Sequence, residues 1–482
     1  MMTVPERSAL LTDLYQLTMA YGYWKAGMHE QEASFNLFFR TPPFEGGYAI
    51  AAGLPDVMEW LEGFRFERED LAYLQSLKGN NGQPLFSPGF LQYLGELTFT
   101  GDLLAVAEGT VVFPHEPILR VQAPLIQAQL IETGLLTLVN FPTLVATKAS
   151  RVCKAAQGDA VLEFGLRRAQ GVNGGLTASR SAYLGGCAAT SNVIAGQRFG
   201  IPVKGTHAHS WVMSFSTEDE AFETYADAMP HNCTFLVDTY DTIDGVKKAI
   251  EMGLKLKEKG HEMVGIRLDS GDLLSLSIEA RRLMDAAGLE SAAIVASNDL
   301  DEHSIHRLKA SGARINVWGV GTKLATAYDQ PALGGVYKLS ALKSEDKSWD
   351  YKLKLSNDQI KVSNPGLLQV LRYTREGEMI GDLIYHEPLG HTAEKISSFY
   401  GASVALEGAE AEVLLKPVIQ QGHRIIRLPE LEASKQLVAD QLAILPEKYQ
   451  RFIGAASYPV GLDPQLAQMK QDLIKKFQGQ TV

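Results

Sequence analysis

The chain has 482 residues, 45% of them hydrophobic, and its 56 acidic and 45 basic residues give a formal net charge of −11. This balance argues against nucleic acid as the main partner, because phosphate backbones are held by basic surfaces. Three cysteines without a CxxC pair, and no run of eighteen apolar residues, predict a cytoplasmic protein of two or three domains that does not enter a membrane.

Residues 1–130 are predicted to form a mixed α+β domain. Apolar residues at helical spacing predict a helix over Leu10–Trp24, and Phe35–Arg40 is typical of a strand that ends at a Pro-Pro turn. Two further strands, Ala105–His115 and Ile118–Val121, are expected to form a small antiparallel unit around a proline-rich turn.

Residues 131–365 alternate between short apolar runs and helical patterns, after a buried helix predicted over Leu125–Asn140. The predicted strands are Val161–Phe164, Val203–His209, Thr234–Asp238, Met263–Asp269, Ala293–Ser297, Asn316–Gly319 and Val336–Leu339. The predicted helices are Ser179–Phe199, Thr242–Lys259, Leu274–Ala287 and Leu300–Ser311. This alternation indicates parallel strands, and it favours an irregular TIM-like β/α barrel within an α/β fold. Residues 366–482 are predicted to be a C-terminal segment that packs on the N-terminal domain or on the barrel.

Nearly every predicted barrel strand ends in, or is directly followed by, polar residues or glycines. They are Arg167, Arg168, His207, His209, Asp238, Arg267, Asp269, Ser297, Asn298, Gly319 and Gly321. Barrel enzymes carry their chemistry at the carboxyl ends of the strands, so this repetition predicts a catalytic site at one edge of the sheet.

Two histidines, His207 and His209, lie two residues apart in a segment predicted as a strand, so both side chains should point the same way. Three interpretations are open. One histidine is a hydrogen-bonded core residue, or the pair takes part in catalysis, or it binds zinc with help from Asp238 or Asp269.

Two further segments have the composition of binding loops. In Arg267–Asp272, an arginine fork could hold an anion and the carboxylates a sugar diol or hydrated Mg²⁺, although a salt-bridged strand end is the plainer interpretation. In Trp318–Leu324, paired glycines could expose N–H groups to a phosphate, or could simply form a tight turn. The glycine-rich Asn173–Arg180, which precedes a predicted helix, could equally be a flexible loop.

Taken in order, these segments resemble the nicotinate phosphoribosyltransferase family. The resemblance runs over most of the chain to about residue 365, in TDLYQLTMAYGYW, FFRTPPFEGGYAIAAGL, EFGLRRAQG, GGLTASRSAYLGG, GTHAHSW, VDTYDT, RLDSGDL, SND and GVGTKL. The number and order of these motifs make it specific, and no residue role is carried over beyond them.

The resemblance implies a reaction in which nicotinate and 5-phosphoribosyl-1-pyrophosphate give nicotinate mononucleotide and pyrophosphate. ATP is implied as co-substrate and Mg²⁺ as cofactor, with ATP hydrolysis coupled through a phosphohistidine. The implied assembly is a homodimer with shared active sites, in which the first-helix tyrosine completes the site of the partner.

Residue roles are also implied by the resemblance. His209 would be the phosphorylated residue, oriented by Asp238 and Asp269. The residues implied to contact substrate are Tyr15, Asp13, Phe164, Arg167, Arg267, Asn192, Thr206 and Arg40. Within that set Tyr15 and Phe164 would sandwich the pyridine ring, and Arg40 would reach pyrophosphate across the dimer. Ser297, Asn298, Gly319, Gly321 and Thr322 would hold the 5′-phosphate and ribose.

Other functions stay open on sequence alone. A metal-dependent barrel hydrolase could use His207 and His209 as zinc ligands. The same transfer could act on nicotinamide or quinolinate, although Arg167 and Asn192 favour a monoacid. A binding protein that kept the fold without turnover is a further alternative.

Overall fold

The computed structural model describes residues 8–356 and 362–479. The chain divides into two compact units. Unit B is the continuous stretch Val145–Pro331, and unit A combines the described residues up to Leu144 with those from Ala332 onward. This division differs from the predicted boundaries after residues 130 and 365, because the C-terminal part shares a sheet with the N-terminal part.

Strands and helices are numbered here along the chain. The strands are β1 (Glu32–Phe38), β2 (Ala49–Ile50), β3 (Asp102–Ala105), β4 (Val111–Val112), β5 (Leu119–Pro124), β6 (Ala160–Glu163), β7 (Ala189–Thr190), β8 (Thr234–Leu236), β9 (Gly265–Leu268), β10 (Ala293–Ala296), β11 (Val317–Val320), β12 (Val336–Lys343), β13 (Trp349–Tyr351), β14 (Leu368–Arg375), β15 (Glu378–His386), β16 (Lys395–Ser397), β17 (Ser403–Ala405), β18 (Glu410–Val413), β19 (Lys416–Gln420), β20 (His423–Arg424) and β21 (Val460–Leu462).

The α-helices are α1 (Leu14–Lys25), α2 (Leu54–Glu62), α3 (Arg68–Ser76), α4 (Pro88–Glu96), α5 (Leu125–Leu130), α6 (Glu132–Ala156), α7 (Gly171–Leu184), α8 (Val193–Phe199), α9 (His209–Met213), α10 (Glu218–Ala228), α11 (Thr242–Glu258), α12 (Leu273–Ala286), α13 (Glu302–Ala310), α14 (Thr322–Ala325), α15 (Leu431–Ile444) and α16 (Pro464–Gly479). Short 3-10 helices cover Pro43–Glu45, Leu166–Arg168, Glu387–Leu389 and Glu447–Tyr449.

Unit B is built around a six-stranded parallel sheet in the order β7-β6-β11-β10-β9-β8. Its strands are short and largely buried, and amphipathic helices follow them. In α11, for example, the N-cap carboxylate of Asp241 accepts the N–H of Asp244, and the helix buries Val246 and Ala249. The predicted alternation of strands and helices, and the parallel sheet, are confirmed.

One predicted strand of unit B, Val203–His209, is wrong. This segment forms only an isolated parallel bridge from Val203 to Thr190 at the β7 edge. Instead of pairing with β8, it places the ring of His207 against that strand, where Nε2 accepts the N–H of Leu236 at 3.2 Å. Among the described residues no strand pairing closes the sheet, so the TIM-like barrel stays a prediction.

The predicted barrel strand Val336–Leu339 is also wrong in its placement. It belongs to β12, which pairs antiparallel with β1 in unit A, in a seven-stranded sheet of order β13-β12-β1-β5-β3-β19-β20. β19, from the C-terminal segment, pairs antiparallel with β3 in the same sheet. The spacing of apolar residues predicts that a strand exists, but it does not predict which other strand pairs with it.

A single predicted helix over Ser179–Phe199 is replaced by α7, β7 and α8. The glycine-rich Asn173–Arg180 lies inside α7 and is not a loop. The chain leaves α7 through Gly185 and Gly186, and the second of these has a φ of +117°. That backbone conformation favours glycine and explains why the helix cannot continue.

Candidate functional site

Four neighbouring parallel strands, β8 to β11, bring their carboxyl ends to one edge of the unit B sheet. Asp238, Asp269, Ser297 and Gly319 stand at or just beyond those ends. Because parallel strands in register end together, residues far apart in sequence meet there, as predicted from the strand-end pattern.

Asp238 is the most buried carboxylate at this edge, with a side-chain exposure of 0%. Its Oδ2 accepts the backbone N–H of Asp269 at 2.9 Å and the hydroxyl of Ser270 at 2.6 Å. Its Oδ1 is buried and accepts no hydrogen bond from the described part of the chain. An unpaired buried carboxylate oxygen is costly, so this atom is expected to serve a neighbouring donor.

That neighbour is His209, the first residue of α9, whose side chain is 39% exposed. Its Nε2 lies 3.9 Å from Asp238 Oδ1 and 3.6 Å from Asp269 Oδ2. Its Nδ1 lies 3.2 Å from the hydroxyl of Thr239. One ring nitrogen therefore faces two carboxylates, and the other faces a neutral hydroxyl.

Arg267 and Asp269 form the centre of a hydrogen-bonded group. The guanidinium donates to the hydroxyls of Ser297 at 2.8 Å and Thr206 at 3.1 Å, and to Asp269 Oδ1 at 2.9 Å. Burial alone would raise the pKa of Asp269, but the Ser297 hydroxyl and the Arg267 charge outweigh it and lower that pKa. Asp269 is therefore held as a carboxylate. Within the described ranges, three of the five guanidinium N–H groups are used, which leaves two for an external anion.

Phe164 lies beside this guanidinium, with its ring centroid 5.8 Å from the Cζ atom of Arg267. A Cβ atom added at Gly319 would stand 2.8 Å from Cδ2 of the ring, so the ring needs a glycine at that position. The structure thus brings together an aromatic face and a partly unoccupied guanidinium fork, as expected for a site that takes a flat anion.

Behind Phe164 lies a buried polar cluster that the sequence did not predict. The carboxylate of Glu163 accepts the backbone N–H of Gly165 and the hydroxyls of Ser179 at 2.9 Å and Thr190 at 2.6 Å. These bonds fix the turn that carries Phe164. Glu163 could have been noticed as an acidic residue inside an apolar strand.

Asn192 belongs to that buried cluster. Its side chain is fully buried, donates to Ser179 Oγ at 3.0 Å, and caps α8 by accepting the N–H of Ala195 at 3.3 Å. Its amide thus ends one loop and begins a helix, and its predicted contact with substrate stays a prediction.

His207 does not share a face with His209, which corrects the prediction of a histidine pair. It is 7% exposed and lies edge-on to Tyr225, with ring centroids 4.9 Å apart. Because Nε2 accepts a backbone N–H, the proton is on Nδ1, which points at the carbonyl of Ala208 at 3.5 Å. This satisfied core histidine leaves no lone pair for zinc, so the HxH metal pair does not form.

His207 predicts a pH dependence of stability. Burial, then the charges of Arg267 and His209, lowers its pKa to about 4, against 6.5 in an unfolded chain. Since the unfolded state takes up the proton first, the free energy of unfolding falls as the pH falls from about 6.5 to 4, by up to about 3 kcal/mol.

Urea unfolding of wild type and His207→Gln across that pH range measures the loss. In His207→Gln the free energy of unfolding should no longer fall over this pH range, whereas in the variant His306→Gln, at an exposed position, it should fall as in wild type. Parallel curves for wild type and His207→Gln would contradict the assignment.

The remaining predicted residues of unit B lie around the same loops. Arg167 is exposed in the 3-10 helix after Phe164, and Thr322 begins the short helix α14 after Gly321. Asn298 is exposed and has a φ of +117°, a strained conformation for a residue with a side chain. Such strain costs about 1–3 kcal/mol and is concentrated at binding loops.

Three predicted residues belong to unit A. Tyr15 is 50% exposed on α1, and Asp13, at the N-cap of that helix, accepts the hydroxyl of Thr133 at 2.9 Å. Arg40 follows β1 and its Cζ lies 5.7 Å from the ring centroid of Phe38. Their predicted contacts with substrate and with a partner subunit stay predictions.

Two residues that contact His209 or its neighbour Asp238 were not predicted from the sequence. Thr239 meets Nδ1 of His209, and Ser270 holds Asp238. Each directly follows a predicted strand-end aspartate, so the same strand-end argument could have included them.

No group of three or more His, Cys, Asp and Glu residues in the ranges 8–356 and 362–479 is arranged to hold a metal ion. In the same ranges, no helix has the length and apolar character needed to cross a membrane.

Three family models together match most of the chain. The nicotinate phosphoribosyltransferase (NAPRTase) N-terminal domain matches residues 10–140, the NAPRTase family model residues 160–368, and the NAPRTase C-terminal domain residues 369–470. The third match extends the resemblance beyond residue 365, where the sequence motifs had weakened.

Relatives of known name match over nearly their full length. The nicotinate phosphoribosyltransferase of Bacillus subtilis (strain 168) is 45% identical over 468 residues, covering 94% of this chain and 92% of its own. The human nicotinate phosphoribosyltransferase is 37% identical over 526 residues, covering 96% of each chain.

Solved structures agree with the sequence matches. The crystal structure of human nicotinic acid phosphoribosyltransferase superposes with a TM-score of 0.83 at 35% identity, over 96% of this chain and all of that one. A nicotinate-nucleotide pyrophosphorylase from Pyrococcus furiosus, at 20% identity and a TM-score of 0.69, covers 90% of this chain and 95% of its own, and shares the fold.

Proposed function

This chain is an enzyme of the nicotinate phosphoribosyltransferase family, and from that premise we propose that it transfers phosphoribosyl from 5-phosphoribosyl-1-pyrophosphate to nicotinate. The products would be nicotinate mononucleotide and pyrophosphate, and the role would be NAD salvage. ATP would drive the transfer through a phosphohistidine at His209. The observation that carries the proposal is the partly exposed imidazole of His209, which lies next to the carboxylates of Asp238 and Asp269. In the same unit the ring of Phe164 lies beside the guanidinium of Arg267, and this ring and guanidinium are called the Phe164–Arg267 platform.

Nicotinate suits that platform for two reasons. Its flat ring can lie against Phe164, and its carboxylate can take the two unused N–H groups of Arg267. The pyridine nitrogen already has a lone pair, so the attack on the ribose C1 needs orientation rather than a base. Nicotinamide lacks the negative charge that the guanidinium selects, which makes the acid the favoured substrate over the amide.

Departure of pyrophosphate builds positive charge on the ribose ring and negative charge on the leaving group. Mg²⁺ carried on the phosphates would stabilise the leaving group, and such ions are bound by one or two carboxylates together with the phosphates. Asp269, whose side chain is 28% exposed and whose Oδ2 lies 3.6 Å from Nε2 of His209, is the protein ligand that fits this requirement. Backbone N–H groups near Asn298 and Gly321 are proposed to hold the 5′-phosphate.

Geometry favours Nδ1 of His209 as the atom that is phosphorylated. Nε2 faces Asp238 and Asp269, whose charges would repel an incoming phosphoryl group, whereas Nδ1 faces the neutral hydroxyl of Thr239. The Nδ1–P bond would form as the bond between the γ-phosphorus of ATP and the bridging oxygen breaks, releasing ADP. The carboxylates would hold the Nε2 proton and stabilise the positive ring that results.

We also propose an irregular β/α barrel and a homodimer for this chain. The contact between His207 and β8 supports an irregular barrel, because a side chain stands where a strand pair would close the sheet. A homodimer with shared sites is supported by the half-exposed ring of Tyr15, which is available to a partner.

Labelling tests the proposal. Wild-type protein incubated with γ-³²P-labelled ATP and Mg²⁺ should retain label that is stable in base and lost in acid, and His209→Ala should retain none. Nicotinate mononucleotide should form faster with ATP than without it in wild type, and the ATP effect should vanish in the variant. His306→Ala, exposed on α13, is the matched control. A wild-type chain that forms product but never takes label would exclude the phosphohistidine while leaving the transfer itself intact.

A further inference from the structure

Unit A contains a cavity of about 400 Å³ that none of the proposed substrate contacts uses. It is formed by the end of α16, by Phe399 and Tyr400, and by a loop that carries His115. Its lining residues are His115, Leu355, Ser356, Val362, Asn364, Phe399, Tyr400, Lys470, Ile474 and Gln478. The size is within the range of small-molecule sites, which is about 300–1,000 Å³.

The first observation is an ammonium group whose partners in this cavity are neutral. Lys470 Nζ donates to Asn364 Oδ1 at 2.8 Å and to the carbonyl of Val362 at 3.2 Å. An ammonium has three N–H donors, so one is left by the residues that the structure describes. No Asp or Glu is among the lining residues that the structure describes. Burial lowers the pKa of Lys470 to about 8, as expected for a charge without an anionic partner.

His115 is the second observation. Its backbone has a φ of +73°, and its N–H donates to the carbonyl of Phe39 at 2.8 Å, so the residue is held in a left-handed turn. The ring packs against Phe399 with centroids 4.9 Å apart. Burial, and then the charges of Lys470 and Arg40, lowers its pKa to about 4. The His115 ring is therefore neutral near pH 7, and the positive charge among the described lining residues comes from Lys470.

The third observation is apolar surface that faces this charge. Phe399 and Tyr400 remain 39% and 44% exposed, and Leu355 37% exposed. Exposed aromatic rings beside an ammonium without a carboxylate partner make a site with one apolar face and one cationic end. Ligand sites typically combine many apolar contacts with a few placed polar groups in this way.

We propose that this cavity is a second small-molecule site, which binds an aromatic anion no larger than a mononucleotide. The ring would lie on Phe399 and Tyr400, and the phosphate or carboxylate would take the remaining N–H of Lys470. A nucleotide and an aromatic carboxylate share this chemistry, and the experiment separates them.

The test uses the reactivity of a lysine whose pKa is near 8. The full-length enzyme is treated with pyridoxal 5′-phosphate, whose aldehyde forms an imine with a neutral amine and loses water, and borohydride then delivers hydride to fix the adduct. Mass spectrometry locates the modified lysines. Lys470 should be labelled at least about tenfold faster than exposed Lys475 on the same helix, since its amine is more often neutral and the probe is itself an aromatic anion.

Competition identifies the ligand class. AMP, benzoate and inorganic phosphate are added separately. AMP or benzoate should protect Lys470 at concentrations about tenfold lower than phosphate does. That ratio corresponds to about 1.4 kcal/mol of binding free energy contributed by the aromatic ring. Protection by AMP alone assigns a nucleotide phosphate, and by benzoate alone an aromatic carboxylate. Phe399→Ala should abolish the difference from phosphate while its unfolding transition stays unchanged.

Two results would overturn the proposal. Labelling of Lys470 no faster than that of Lys475 would mean that the cavity does not attract the probe. Equal protection by all three anions, or none, would mean that no aromatic ligand is recognised. Because both readouts are specific to Lys470, they are independent of whether the enzyme transfers phosphoribosyl to nicotinate.

Discussion

Asp238→Asn is expected to lower ATP-coupled formation of nicotinate mononucleotide by about 10²–10⁴-fold. Asp238 Oδ2 is fixed by Asp269 N–H and by Ser270, so an asparagine would keep its oxygen there and turn its NH₂ toward Nε2 of His209. A donor would then face a donor, and the imidazole would lose the tautomer that leaves Nδ1 free. Steady-state turnover with and without ATP measures the effect.

The matched control is Asp241→Asn, three residues further along the same loop. Asp241 is exposed and caps α11 by accepting the N–H of Asp244 at 2.9 Å, and asparagine caps equally well. Its activity should stay within about twofold of wild type. If Asp238→Asn retains turnover and γ-phosphoryl labelling at the level of Asp241→Asn, the carboxylate does not position His209.

Glu302→Gln is expected to reduce the free energy of unfolding of unit B by about 3–5 kcal/mol. Glu302 is fully buried, and its carboxylate pairs with Lys148 at 2.6 Å and with Arg151 at 2.8 Å, both of them buried. Burial opposes the charge on Glu302, but these two cations outweigh it and lower its pKa. A neutral amide would remove the negative charge that these two buried cations share, although Lys148 also pairs with Asp329 at 2.6 Å.

Urea unfolding, together with hydrogen exchange of the α13 amides, measures this loss. Glu279→Gln is the control, because Glu279 pairs with Arg282 on the surface, at 41% and 63% exposure, and such pairs contribute about 0–1 kcal/mol. The wild-type contribution of Glu302 should also fade as the pH falls below about 4.5, since a carboxyl whose pKa is lowered by folding stabilises only while ionised. Equal loss in the two variants would mean that the buried triad contributes little.

Most residues around His209 could be predicted from the sequence because the carboxyl ends of neighbouring parallel strands lie at one edge of a sheet. Asp238, Asp269 and Ser297 follow short apolar runs, and such runs deliver their next residues to one edge whatever the loops do. The prediction was wrong for His207, where a strand was assumed. The segment after Val203 lacks the pairing that would make both histidines point one way, and only tertiary contacts with Tyr225 and Leu236 decide which face each ring takes.

The partners of strands and the depth of polar residues were less predictable. The apolar residues of β12 are equally typical of a strand in a parallel sheet and of a strand in an antiparallel sheet. In the structure β12 lies antiparallel to β1. Asn192 was matched to a substrate position by its place in the sequence, but burial and the capping of α8 are properties of the folded chain. Local pattern therefore gave the elements and their ends, whereas packing decided which of the polar residues reach the cleft.

The pairing of β1 with β12 has a consequence for biosynthesis. Unit B is one uninterrupted segment, but β1 must wait for a partner about three hundred residues downstream, as the pairing of Ala33 with Leu342 illustrates. Until then, the edge of β1 that β12 later covers has open N–H and C=O groups, which invite pairing with other nascent chains. Proteins cut short before β12 are thus expected to precipitate, even though their catalytic strands are complete.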